Sequence, residues 1–212
     1  MEIKFTQTPN YTKGSGAPKI GFVLHGTLGS YNGSIGWLMT RPEDRPDRTQ
    51  SSAHYVIGRN EGEVTQLVRN EDISWHAGNI SNPSSRITSL LPKNPDGTFK
   101  NPNTSFIGIE FVWGYDMNGD GSITDAERTL TEWQYKCAME RIKSSGIINP
   151  ILISHKEIAD YKTDDMLFAV TNITVRMTSQ VPQVNKTNNQ DVVKQIQTKL
   201  GEIQVLLSKI VV

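Results

Sequence analysis

Apolar positions in this chain gather in short runs separated by polar, turn-rich stretches. Ile20-Gly-Phe-Val-Leu24, Ala53-His-Tyr-Val-Ile57, Glu63-Val-Thr-Gln-Leu-Val68, Phe106-Ile-Gly-Ile-Glu-Phe-Val112 and Ile151-Leu-Ile153 are each too short for a helix and rich in β-formers. They predict strands. Gly58-Arg-Asn-Glu-Gly62 joins two of them as a hairpin. Helical spacing runs from Thr124 to Ser144 through Leu130, Trp133, Cys137, Met139 or Glu140, and Ile142. A short helix is expected over Ser34–Met39, with Trp37 and Leu38 inward and Arg41-Pro42 as its stop. Strands alternating with helices predict an α/β domain, a central mixed β-sheet flanked by helices.

The polar stretches divide the chain. Residues 1–19 read as a lead-in, Glu43–Gln50 as a surface loop, and Asn79–Asn103 as a loop long enough to be functional or mobile, a natural wall for a groove. A domain over 20–170 closes with the apolar Met166–Val170, and Thr171–Thr187 is polar and β-like, a linker or arm. Over 188–212, Val193, Ile196, Leu200, Ile203, Leu207 and Ile210 form a heptad seam. This predicts a C-terminal amphipathic helix that either self-associates, giving a homo-oligomer, or docks on the parent domain.

Composition removes several classes. The chain has 212 residues with 22 basic and 22 acidic side chains, so bulk charge points to neither nucleic acid nor an anionic membrane. No apolar run approaches a membrane span. The first residues carry no basic and apolar leader, so the protein is expected to be made in the cytoplasm without a signal peptide. The lone Cys137 excludes an internal disulfide and is expected to be a buried packing thiol.

Two of the strands end in histidine. His25 follows Ile20–Leu24, and His155 follows Ile151–Ile153 with Lys162, Asp164 and Asp165 downstream. Two imidazoles and a carboxylate suit a catalytic zinc site, which takes three protein ligands and keeps one position open. Either aspartate fits as the third. Glu110 interrupts an apolar strand, and an ionised carboxylate there is costly unless paired, coordinating or at an open end. Either it faces solvent or it is a general base whose pKa burial raises.

In order along the chain stand Val23-Leu-His25-Gly-Thr27, Ser52-Ala-His-Tyr-Val-Ile57, Ser74-Trp-His76-Ala-Gly78, Phe106-Ile-Gly-Ile-Glu110, and His155 followed by Lys162-Thr-Asp164. Together they resemble the type-2 N-acetylmuramoyl-L-alanine amidases, relatives of phage amidase lysins and peptidoglycan recognition proteins. The likeness spans roughly residues 8–168, and Thr8-Pro-Asn-Tyr-Thr-Lys-Gly14 also resembles the opening of phage lysins. It implies Zn²⁺ on His25, His155 and Asp164, Glu110 as catalytic acid/base, Lys162 at the developing oxyanion, and His76 lining the substrate groove. His54 falls on an interior strand position as a core histidine. Bacterial peptidoglycan is the implied partner, cut between N-acetylmuramic acid and L-alanine by a phage lytic enzyme. A wall-recycling amidase and a non-catalytic recognition module are the alternatives. Two departures stand out. Ala159-Asp-Tyr-Lys-Thr-Asp-Asp165 is one residue shorter than the family's Ala-Pro-Gly-Arg-Lys-Thr-Asp-Pro-Gly loop and lacks its closing Pro-Gly, and Ala53 stands where some relatives carry a tyrosine.

One motif lies outside that resemblance. Asp116, Asn118, Asp120, Gly121, Ser122, Thr124 and Glu127 match the D-x-[DN]-x-[DN]-G-x₅-E spacing of a Ca²⁺ loop. The expectation is a structural Ca²⁺ clip, with Ile123 against the domain and Glu127 in the first turn of the following helix. A polar turn that merely caps that helix at Thr124 is the alternative.

Overall fold

The computed structural model describes residues 3–14 and 17–179, and the heptad seam at 188–212 lies outside them. The chain divides into two compact units, Met1–Val175 and Arg176–Val212. The strands are Lys4–Phe5 (β1), Tyr11–Thr12 (β2), Gly21–Gly26 (β3), Tyr55–Ile57 (β4), Val64–Gln66 (β5), Ile73–Ser74 (β6), Phe106–Phe111 (β7) and Ile151–Ser154 (β8). Six of them form a sheet in the order β1-β5-β4-β7-β3-β8, and β2 pairs with β6. β4, β7, β3 and β8 run parallel, β5 turns back antiparallel to β4, and β1 lies parallel to β5. The sheet is mixed, as the pattern predicts.

β3 reads as an unbroken apolar run because it is covered on both faces and has a parallel neighbour on each side. Phe22, Val23 and Leu24 have no exposed surface. Register aligns the strand ends: His25 lies opposite Glu110, and Leu24 opposite Ser154, one residue before His155. Alternation then places His25 and Glu110 on one face with Val23 and Val56. Two apolar clusters belong to that face. One holds Val23, Phe106, Ile153 and Ile158, the other Val56, Leu38 and Leu67.

Helices Tyr31–Met39 (α1), Ser85–Thr88 (α2), Pro102–Ser105 (α3), Glu132–Ser144 (α4), His155–Ile158 (α5) and Leu167–Ser179 (α6) flank the sheet. Four expectations change. Residues of the lead-in form β1 and β2, and buried Thr8 and Asn10 bond the Leu38 carbonyl at 2.7 and 3.0 Å. Trp37 is 44% exposed rather than inward, with the Arg45 guanidinium 4.8 Å over its ring as a cation–π partner at the surface. α4 begins at Glu132, not Thr124, because Thr131 and Gln134 form a capping box that fixes its start. Thr171–Ser179 continue α6 instead of forming a β-like arm, burying Ile173 as Met166, Ala169 and Val170 are buried before it. Cys137 is fully buried in α4, as expected of a packing thiol. Among the described residues no helix is long and apolar enough to cross a membrane.

Candidate active site

His25, next to last in β3, and His155, just past β8, meet at the carboxyl end of the sheet with their Nδ1 atoms 2.9 Å apart. Asp164 Oδ2 joins them at 3.2 Å from His155 Nδ1 and 3.6 Å from His25 Nδ1. The segment after α5 is folded back by Ser154, whose hydroxyl accepts the Met166 N–H at 2.9 Å, and this returns Asp164 to the strand end. Asp165 points elsewhere: it is exposed, and its Oδ1 accepts the Leu167 N–H at the start of α6. Of the two adjacent aspartates, Asp164 is the one that stands beside His25 and His155.

The hydrogen bonds around the two rings decide what these three atoms can do. His155 Nε2 lies 3.2 Å from the Ala77 carbonyl, which only accepts, so Nε2 carries a proton and Nδ1 is the nitrogen that can offer a lone pair. His76 Nε2 likewise faces the Phe106 carbonyl at 3.4 Å, leaving His76 Nδ1 to accept from His25 Nε2 at 3.0 Å. His25 then also keeps its Nδ1 lone pair. Burial, and next the neighbouring His155, push the His25 pKa down to about 4, so that ring resists a second proton. Three lone pairs therefore converge, an arrangement that a cation satisfies. Their separations of 2.9, 3.2 and 3.6 Å compare with the roughly 3.3 Å between ligand atoms set tetrahedrally about 2.0–2.1 Å from Zn²⁺. The residues fit zinc.

The three ligand atoms sit in a groove of about 530 Å³ whose lining includes Leu28, Trp37, Glu110, Tyr161 and Lys162. Glu110 is half-buried. Burial, then the charge of Asp164, push its pKa up to about 8 against the opposing pull of Lys162. Leu28, at the rim, holds a left-handed backbone with φ 53° and is half-exposed.

Other expected residues fall differently. His76 lines the groove with 8% exposure, and both of its ring nitrogens have partners within the protein. His54 is wholly buried and satisfied by Asp72 O, Ser74 Oγ and Gly108 N, the core histidine expected. The Asn79–Asn103 segment contributes no residue to the groove lining. It braces the turn that carries His155 instead, through Arg86 on Glu157 and through Ser81 N–H on Ile158 O. At its end lies a residue that sequence reasoning missed. Asn103 Oδ1 accepts both the His76 and Ala77 N–H groups, at 3.1 and 2.8 Å.

In this structure the oxygens of the Asp116–Glu127 loop are engaged in hydrogen bonds within the loop itself. Among the described His, Cys, Asp and Glu side chains, His25, His155 and Asp164 are the group that brings three potential ligand atoms within 4.8 Å of one another. Glu127 Oε1 accepts the Met117 N–H, and Oε2 accepts from Thr124 N and Oγ1, so the carboxylate caps its own loop. Asp116 accepts from Gly119 and Gly121, and Asp120 from Ser122. Asn118 Oδ1 accepts the Asp120 N–H. Glu127 lies in a turn five residues before α4, and Ile123 is 38% exposed rather than packed on the domain.

A family model described as N-acetylmuramoyl-L-alanine amidase matches residues 16–166. N-acetylmuramoyl-L-alanine amidase A of Achromobacter lyticus is 40% identical over 57 residues, 27% of this chain, and the match spans only 29% of that relative. The catalytic domain of XlyA superposes with a TM-score of 0.50 at 17% identity, over 82% of this chain and 98% of that one. A selenomethionine derivative of AmpD gives 0.49 at 20% identity, over 77% and 87% of the two chains. With a family match extending over more than half of its length, this chain belongs to the N-acetylmuramoyl-L-alanine amidase family.

Proposed function

We propose that the chain is a zinc-dependent amidase that hydrolyses the bond between the lactyl group of N-acetylmuramic acid and the L-alanine of the peptidoglycan stem peptide. The observation that carries this reading is the convergence of the His25, His155 and Asp164 lone pairs in a groove that also holds Glu110 and Lys162. Zinc held by those three atoms supplies Lewis acidity toward the scissile carbonyl and the attacking water. Glu110, which lines the same groove, takes the water proton and returns it to the leaving amine. The Lys162 ammonium offsets the negative charge that develops on the carbonyl oxygen. The amide C–N bond breaks, giving the lactyl carboxylate and a free alanine amine.

His25→Ala is expected to lose both zinc and hydrolysis. Glu110→Ala is expected to keep zinc while turnover falls about 10²–10⁴-fold, read as alanine N-termini released from purified peptidoglycan. A Glu110→Ala protein that releases alanine at the wild-type rate would remove the base assignment. Wild-type protein that binds peptidoglycan and releases none would be a recognition module. A phage lytic role rests on the resemblance of Thr8–Gly14 to lysin openings. It requires faster cleavage of intact polymeric wall than of soluble anhydro-muropeptides, and the reverse preference marks a recycling enzyme.

The spacing of Asp116, Asn118, Asp120, Ser122, Thr124 and Glu127 supports a second, structural cation, Ca²⁺. Its binding would require Glu127 to exchange its backbone partners for the ion. Calorimetric titration of chelator-treated protein should show binding that Asp120→Ala abolishes, with zinc retained. No heat at millimolar Ca²⁺ would leave the loop a self-capped turn.

A further inference from the structure

His76 performs no step of the reaction above, yet its surroundings fix it more closely than a filler side chain needs. Its ring packs closely against β7 at Gly108, where an added Cβ would come within 2.6 Å of His76 Cγ. A glycine in the middle of a buried strand weakens it unless something must approach the backbone closely, and here the imidazole does. Asn103 Oδ1 clamps the backbone N–H groups of His76 and Ala77, and the Phe106 carbonyl takes the proton on His76 Nε2. The remaining nitrogen, Nδ1, is aimed at His25 Nε2 at 3.0 Å. The next carbonyl along, Ala77 O, accepts from His155 Nε2 at 3.2 Å. A single dipeptide therefore touches both histidines on the side away from Asp164.

We infer that His76 is a positioning residue for the metal site: by accepting the Nε2 proton of His25 it selects the tautomer whose Nδ1 lone pair faces His155 and Asp164. The inference rests on the zinc reading. A ligating imidazole usually gives its second N–H to a carboxylate, carbonyl or water, and that outer partner sets ring orientation and tautomer. Here another imidazole serves, itself set by Phe106 O. The Ala77 carbonyl does the same for His155. One segment, its backbone held by Asn103, thus fixes both imidazoles before any metal arrives, His25 through the His76 ring and His155 through the Ala77 carbonyl. Were His76 only a filler, an apolar ring of similar size would serve as well.

Zinc affinity measured by competition with a chromophoric chelator separates the two roles, with melting temperature in excess chelator as the check on folding. His76→Phe keeps the ring and removes the acceptor, and its affinity should fall about 10–100-fold. His76→Asn loses ring volume but keeps an oxygen near the Nδ1 position, and it should retain most of the affinity. A Phe variant that binds zinc as tightly as the wild type, or an Asn variant as weak as the Phe variant, overturns the inference. A wild-type protein that binds no zinc overturns the zinc reading itself. Ring ¹⁵N–¹H spectra of metal-free wild-type protein require no substitution. The inference demands a proton on His25 Nε2 and none on Nδ1, and the opposite tautomer refutes it.

Discussion

Glu110 shows how much of the chemistry resides in single side chains. Burial, then Asp164, hold its folded-state pKa at about 8, against an ordinary value of 4.5. The raised value means that the folded protein keeps a proton the unfolded chain has already released. Its contribution to stability is therefore complete below pH 4.5 and is lost as pH rises through about 8. Metal-free Glu110→Gln protein should have a flatter melting profile over that window and melt higher than wild type at its alkaline end, by roughly 3 °C or more. Parallel profiles in the two proteins would show a carboxyl that ionises normally. Glu110 was legible because a carboxylate inside an apolar run is anomalous, and His25 and His155 because each ends such a run. The choice between Asp164 and Asp165 was not, since adjacent aspartates look alike until the start of α6 claims one of them. Asn103 was silent for a different reason: a polar residue among polar residues breaks no pattern, and its partners are 26 and 27 positions away.

At the scale of elements, strands were read better than the segments between them, because burial leaves its mark on composition while long-range bracing does not. The α4 start was in fact written in the sequence as Thr131-Glu-Trp-Gln134, a capping-box signature masked by apolar spacing that begins earlier at Leu130. The Asn79–Asn103 segment looked like a groove wall but is a brace, and its chief contact is bidentate. Arg86 Nε and Nη2 meet the two Glu157 oxygens at 2.5 and 2.6 Å, while Glu157 Oε2 also accepts the Ser154 N–H beneath His155. Burial raises the Glu157 pKa, but the Arg86 hydrogen bonds and the Ser154 N–H carry it below the ordinary value. Arg86→Met strands a buried carboxylate and should cost about 1–3 kcal/mol, with half-exposure of the arginine holding it below a fully buried pair. Denaturant unfolding checks this. Because Glu157 is depressed, the difference from wild type should be full above its ordinary pKa of 4.5 and shrink as pH falls. A difference independent of pH would place the effect in packing alone.

Across the whole molecule, the candidate site is assembled from distant parts of the chain, with His25 and His155 130 residues apart. The sheet order makes this stricter than simple convergence. β3 lies between β7 and β8, so an early strand is inserted between two late ones. An exposed turn at Asn94–Gly97, held by the Lys93–Phe99 bridge, falls between these groups. Cutting the chain there would leave His25 and His76 on one fragment, and Glu110, His155 and Asp164 on the other. Neither piece owns a complete sheet, since the second lacks the strand that separates β7 from β8. The fragments should therefore be unstructured alone and fold only by threading β3 into its slot, so that zinc binding and alanine release become dependent on fragment concentration. Mixing titrations followed by circular dichroism would test this, and a fragment that folds by itself would contradict it. A chain of this architecture is, in effect, a two-key lock: its site can be kept incomplete as separate pieces and assembled by bringing them together.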